Sequence, residues 1–275
     1  MEREGQGLTP DDLRSYELTE IPPLDPASPV LKAYSCYHSL IQKAESSHSS
    51  NPDLGGKLLY LGELDDEGRA IAIAGNVAGC ATLCATAHPA AQKQAIRDGI
   101  VDFLVTSLDE ALRILKNEIR KHATVAVCVA TSTEEIEREM LERGVQPDLG
   151  RLGMVSGRSS EGHPYGSEST QSPGTVVWQV ESSPAKWLPR LDAIALECLD
   201  PADEWNRRWI RLSPRYLNRV APNQRIVRAD QNFAGAFLKL VASAFDLGEI
   251  GTSATIWASS ETGFEEHHFP STPKQ

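Results

Sequence analysis

Between Leu58 and Arg143 the chain alternates short apolar runs with helix-forming stretches at a regular spacing. Leu58–Gly62 (LLYLG), Ala81–Ala85 (ATLCA), Ile100–Val105 (IVDFLV) and Thr124–Ala130 (TVAVCVA) predict strands. The last is apolar along nearly its whole length, as a strand covered on both faces must be. Four helices are predicted between and after them. Arg69–Val77 is rich in alanine and apolar all round, and His88–Arg97 ends at Gly99. Ser107–His122 places Leu108, Ala111, Leu112 and Leu115 on one face and opens with Ser107 and Glu110 as a capping box. Thr133–Arg143 closes at Gly144, and Pro147 stops the pattern. Alternation of this kind leaves few topologies open: a parallel sheet, right-handed crossovers, and helices on both faces.

The predicted fold class is therefore α/β, a Rossmann-like parallel sheet followed by a smaller α+β part. Residues 1–27 read as an N-terminal arm, since IPPLDP is extended and cannot be helix interior. The Rossmann-like domain takes residues 28–156 and includes an amphipathic helix from Ser28 to about His48. Residues 157–174 (GRSSEGHPYGSESTQSPG) have the composition of a flexible surface loop. The α+β part, 175–262, packs back on the first domain and carries a strand (TVVWQV), helices at Pro184–Leu199 and Gln231–Leu247, and a strand within GTSATIWAS. Residues 263–275 read as a tail.

The stretch Lys57–Gly79 is a strand, a tight turn and a helix, which is how a dinucleotide-binding fold opens. Its turn has the wrong chemistry for that ligand. Pyrophosphate at a helix N-terminus is held by backbone N–H groups and the helix dipole, with glycines allowing close approach. Here Asp65, Asp66 and Glu67 stand in that place. A unit charge pair at about 4 Å and an effective dielectric of ~20 is worth about 4 kcal/mol, and the sign is adverse for an anion. Two readings of the turn remain open: a solvated turn whose carboxylates cap the following helix, or a divalent-cation site built from oxygens.

The stretches DLGGKLLYLGEL, GRAIAIAGNVAGCATL, IRDGIVDFLVTSLDEALRILKNEIRKHATVAV and EEIEREMLERGVQPD lie between about Tyr34 and Asp148, and this segment resembles the central NAD-binding domain of urocanase (urocanate hydratase). DLGGKLLYLGEL resembles that family's first strand, and GRAIAIAGNVAGCATL its small-residue helix and following strand. IRDGIVDFLVTSLDEALRILKNEIRKHATVAV resembles the family's RxGYxD segment, long helix and next strand, and EEIEREMLERGVQPD its helix ending in RGV.PD. The resemblance implies a Rossmann-like fold, NAD as cofactor and, in an active member, the lyase chemistry of urocanate hydration. The family's cofactor residues have no counterparts here. Its GLGGMGGAQ-type turn corresponds to ELDDEGRAI, in which Gly68 remains. The ribose-holding glutamate and the arginine five residues on correspond to Thr86 and Ala91. The GNAA turn becomes Thr131, Ser132, Thr133 and Glu134. The expectation is a urocanase-like protein without NAD and without hydratase activity, acting as a scaffold, an accessory subunit or a small-ligand binder. The alternative is a divergent enzyme that holds NAD or another nucleotide through rebuilt contacts. No catalytic residue is assigned. Gly62, Asp65, Asp66, Gly68, His88, Thr131 and Ser132 are the candidate ligand-crevice residues, because ligands of open α/β sheets sit at the carboxyl ends of the strands.

The segment 203–228 holds seven arginines interleaved with Trp205, Trp209 and Tyr216. Arg207, Arg208, Arg211 and Trp209 are candidates for a partner contact, as in a homo-oligomer such as a dimer. The same pattern also suits arginines paired with the chain's own acids. A net charge of -11 argues against nucleic acid and anionic membrane as partners. The acidic, polar N-terminus MEREGQGLTPDDL lacks a secretory signal pattern. Five cysteines, three of them in apolar surroundings, fit reduced thiols and a cytoplasmic location. CATLC has no matching Cys or His pair nearby, and the adjacent His267 and His268 point different ways in any regular element, so no metal site is expected.

Overall fold

The structure is a computed structural model that describes residues 28–46, 53–150, 174–260 and 263–271. The expected arm, 1–27, and residues 157–173 of the expected loop lie outside the described residues. Helix α1 (Pro29–Ser46) precedes the alternating unit. That unit runs β1 (Leu58–Glu63), α2 (Asp66–Ala78), β2 (Ala81–Ala85), α3 (Pro89–Asp98), β3 (Phe103–Val105), α4 (Leu108–Arg120), β4 (Val125–Val129), α5 (Thr133–Glu142) and β5 (Leu149–Gly150).

The five strands form a parallel sheet in the order β3-β4-β2-β1-β5. Side chains alternate between its faces. Leu59, Leu61, Cys84 and Cys128 pack toward α1 and α2. Leu58, Tyr60, Leu83 and Val127 pack with Leu108, Leu112 and Leu115 of α4 and Ile136 and Met140 of α5. This is the two-faced Rossmann-like architecture expected from the alternation. The chain thus crosses behind one face on the way from β1 to β3, and behind the other on the return to β4 and β5.

The second unit comprises β6 (Gly174–Val180), α6 (Pro184–Cys198), α7 (Glu204–Leu217), β7 (Gln224–Ala229), α8 (Gln231–Asp246), β8 (Ala254–Ser260) and β9 (Gly263–Phe269). Its four strands form an antiparallel sheet ordered β7-β6-β8-β9. Trp178 of β6 is fully buried against Phe237 of α8, ring centroids 5.1 Å apart. Its indole N–H donates to Asp192 Oδ1 on α6 at 3.1 Å. Asp192 Oδ2 also accepts from Arg225 Nε at 3.3 Å. Burial pushes the Asp192 carboxyl up to about 6, against the opposing pull of Arg225 and Trp178. The same burial lowers the Arg225 guanidinium.

The structure has elements that the sequence reading left unassigned: α7 in the tryptophan-rich stretch, the two-residue β5, β7 and β9. The residues read as a tail form β9, which pairs with β8 along its whole length. Its run of Glu265, Glu266, His267 and His268 hides the strand pattern, because an exposed edge strand tolerates charge on both sides. Strand β7 also escaped the reading: QRIVRA carries two arginines, and one of them, Arg225, is buried by pairing with Asp192.

The two units share one hydrophobic core. Trp209 of α7 is fully buried, its ring 5.1 Å from those of Tyr34 and Tyr37 on α1. Its N–H donates to Ile226 O of β7 at 2.9 Å. Tyr37 Oη donates to Trp205 O, and Tyr34 Oη donates to Asn206 Oδ1 while accepting from Arg228 N. Helix α1 thus packs on α2 and on the second unit at once, and α7 also reaches α2 directly. Among the described residues, no helix is long and apolar enough to cross a membrane.

Candidate functional site

The chain leaves β1 and β2 toward one face and β3 and β4 toward the other. The loops consequently part between β2 and β4, the place beyond the strand ends where open α/β sheets seat their ligands. All seven candidate residues lie on this edge. Gly62 is the buried residue before the end of β1, with φ +80 at a register shift in the β1–β2 pairing. A glycine serves that bulge because its backbone is left-handed there.

The turn after β1 is organised by its own acids. Asp65 is the N-cap of α2, and its Oδ1 accepts from the Gly68 amide at 2.7 Å. Asp66 and Glu67 occupy the first turn, where the helix dipole favours them. All three are exposed. Gly68 is buried, and a Cβ there would lie 2.0 Å from the Glu63 carbonyl oxygen. The missing side chain lets α2 sit directly on the end of β1, which is the packing role of a glycine in such a turn.

Beyond β2, Thr86 is buried and anchors the next loop. Its Oγ1 accepts from His88 N at 3.3 Å, and its carbonyl accepts from Gln92 Nε2 at 2.8 Å. His88 is the N-cap residue of α3, exposed, and its ring makes no cap hydrogen bond. Beyond β4, Ser132 caps α5 by accepting from Glu135 N at 3.3 Å, and Thr131 Oγ1 donates to Glu135 Oε2.

Sequence reasoning missed the residues that cross the crevice. Glu63 Oε2 accepts from Thr133 Oγ1 at 2.8 Å, tying the end of β1 to the start of α5. Tyr60 Oη donates to Glu137 Oε1 at 3.2 Å. Burial first, and Glu137 next, push the Tyr60 hydroxyl above the usual tyrosine range. The available signal was weak: Glu134, Glu135 and Glu137 follow a Thr-Ser-Thr loop at helical spacing, which fits any exposed helix start. The edge is acidic, with Glu63, Asp65, Asp66, Glu67, Glu134, Glu135 and Glu137 around it. Among the described residues, no group of three or more His, Cys, Asp or Glu is placed to hold a metal ion.

The four partner-contact candidates lie on α7. Trp209 is a core residue. Arg207 Nη1 donates to Leu196 O and Leu199 O at the end of α6. Arg208 Nε donates to Val77 O on α2, and its Nη2 reaches Asp53 Oδ1 at 3.2 Å. Of the four, Arg211 is the one that the structure leaves exposed.

Residues 35–154 match the sequence model of the urocanase Rossmann-like domain. The match begins within α1, runs through β5 and stops before the antiparallel sheet.

Proposed function

We propose that this chain, whose residues 35–154 are a urocanase-family Rossmann-like domain, is a non-catalytic relative that no longer seats a dinucleotide at the β1–α2 turn. It serves as a scaffold or accessory subunit. The observation that carries this reading is the Asp65 cap: the chain's own carboxylate holds the amide of Gly68, which a pyrophosphate oxygen would otherwise take. Two features support it. Asp66 and Glu67 add negative charge at the same helix start, and Gly68 is used up in packing against Glu63. The residues present do not fit the pyrophosphate of NAD. Two pairs of polar groups on the edge satisfy each other, Glu63 with Thr133 and Thr131 with Glu135, and fasten the loops together.

Isothermal titration calorimetry of the full chain with NAD tests this. The expected result is no saturable heat up to ~1 mM. Saturable binding that weakens when His88 or Thr131 is replaced by alanine would instead favour a rebuilt nucleotide site and overturn the proposal.

A further inference from the structure

A cavity of about 140 Å³ lies where the two units meet, lined by Pro29, Lys32, Asp66, Arg69, Ala70, Ile73, Ile100 and Val220. The β2–α3 and β4–α5 loops take no part in it, and of the seven strand-end candidates it shares Asp66 alone. We propose that this cavity binds the zwitterion of a small α-amino acid with an apolar side chain.

The wall from α2 is a single helical stripe. Asp66, Arg69, Ala70 and Ile73 follow one another at i, i+3, i+4 and i+7, so charge lies at its N-terminal end and apolar surface beyond. Ala70, Ile73 and Ile100 are buried and give an apolar floor. Lys32, one turn into α1, and Val220, between α7 and β7, close the cavity from the other elements. The Lys32 ammonium makes no hydrogen bond or ion pair among the described residues. Arg69 is held in place through Nη2, which donates to Asp98 Oδ2, and Asp98 is itself fixed by Gln94 Nε2 at 2.9 Å. A guanidinium has five N–H donors, so one so anchored keeps others for a ligand.

These groups set the ligand's chemistry. Arg69 is balanced by Asp98, which leaves one cation, Lys32, and one anion, Asp66, on the rim. A carboxylate alone would meet Lys32 and Arg69 but face Asp66 without a partner. An amine alone would do the reverse. A zwitterion satisfies both ends, and its side chain covers Ile73, Ile100 and Val220. A volume of about 140 Å³ corresponds to on the order of ten water-sized positions, enough for a leucine- or phenylalanine-sized molecule. Clefts between packed units with a few placed polar groups are the usual setting for such sites.

The test is calorimetry of the full chain with L-leucine and L-phenylalanine, set beside 4-methylpentanoate (carboxylate only) and 3-methylbutylamine (amine only). The expected result is saturable heat for at least one amino acid and about ten-fold weaker binding of both single-charge analogues. Lys32→Met and Asp66→Asn should each weaken the amino acid by a similar factor, and Val220→Trp, which fills the cavity, should abolish it. Circular dichroism confirms that the variants fold. No saturable heat for either amino acid up to ~10 mM overturns the proposal with wild-type protein alone. So does an analogue that binds as tightly as the amino acid, or a Lys32→Met variant that binds as well as wild type.

Discussion

Replacing Gly68 with alanine adds one methyl group at the start of α2. In a helix that change ordinarily stabilises by about 0.5–1 kcal/mol, because glycine loses more backbone freedom on folding. Here the new Cβ would lie 2.0 Å from the Glu63 carbonyl oxygen, 3.1 Å from its carbonyl carbon and 3.1 Å from Leu61 Cδ1. The nearest obstacle is backbone, so no rotamer change relieves it. The first turn of α2 must retreat by about 1 Å or more, an overpacking cost of about 1–3 kcal/mol that also strains the Asp65 cap. The propensity gain offsets only part of that cost, and a net loss of about 1 kcal/mol is expected. Gly235 in α8 supplies the control, since a Cβ there meets nothing within 4 Å. Gly235→Ala should stabilise by about 0.5–1 kcal/mol. Urea unfolding followed by circular dichroism reads both, as opposite shifts of the midpoint at unchanged slope. If Gly68→Ala were as stable as wild type while Gly235→Ala rose as expected, packing would not require Gly68. It would then be free to face a ligand, and the reading of the β1–α2 turn as filled by its own chain would fail.

Two further outcomes follow from polar contacts. Asp192 holds its proton to about pH 6 in the folded chain, against an ordinary value of 3.8. Its contribution to stability is fully present below pH 3.8 and is lost as pH rises through 6. Asp192→Asn keeps a neutral side chain at every pH, so its stability relative to wild type should rise between pH 4 and 6 and stay level above that, as measured by urea midpoints at each pH. Arg208→Ala removes the donor to Val77 O and Asp53 Oδ1, a polar tie between α7 and α2 that adds to those from Tyr34 and Tyr37. It should cost about 1–3 kcal/mol and speed limited proteolysis. An unchanged cleavage rate would show that the aromatic contacts of Trp209 hold the units without it.

The alternation of apolar runs and helices was legible because each run is bounded by its own punctuation: Gly79 after α2, Gly99 after α3, Ser107 before α4 and Gly144 after α5. Strand order was not legible. β3 lies outside β4, an arrangement fixed by which face each crossover helix covers, and no local residue records that. β7 and β9 were hidden by charge, for different reasons. In β7 the charge is buried and neutralised by a residue that lies 33 positions away, Asp192, whereas in β9 it marks an edge. At the candidate site, the loop positions could be read from the helix patterns that follow them, and capping by the carboxylates of Asp65, Asp66 and Glu67 was one of two readings of that turn. The links across the crevice, Glu63 to Thr133 and Tyr60 to Glu137, could not, since they join residues about 70 positions apart or more. The arginine- and tryptophan-rich helix invited a search for a partner outside the chain. For Arg207, Arg208 and Trp209 the structure places the contacts within it.

Helix α1 has one side on α2 and the other on Trp209 and β7, so the family-like half does not end at its own surface. A protein cut after residue 150 would bare Tyr34, Tyr37, Val30 and the flank of α2 to water as a greasy scar. The urocanase-like half is thus no portable cassette. Any gene that carried it alone into a new fusion would be expected to yield inclusion bodies, because the cover for that face comes from the C-terminal unit.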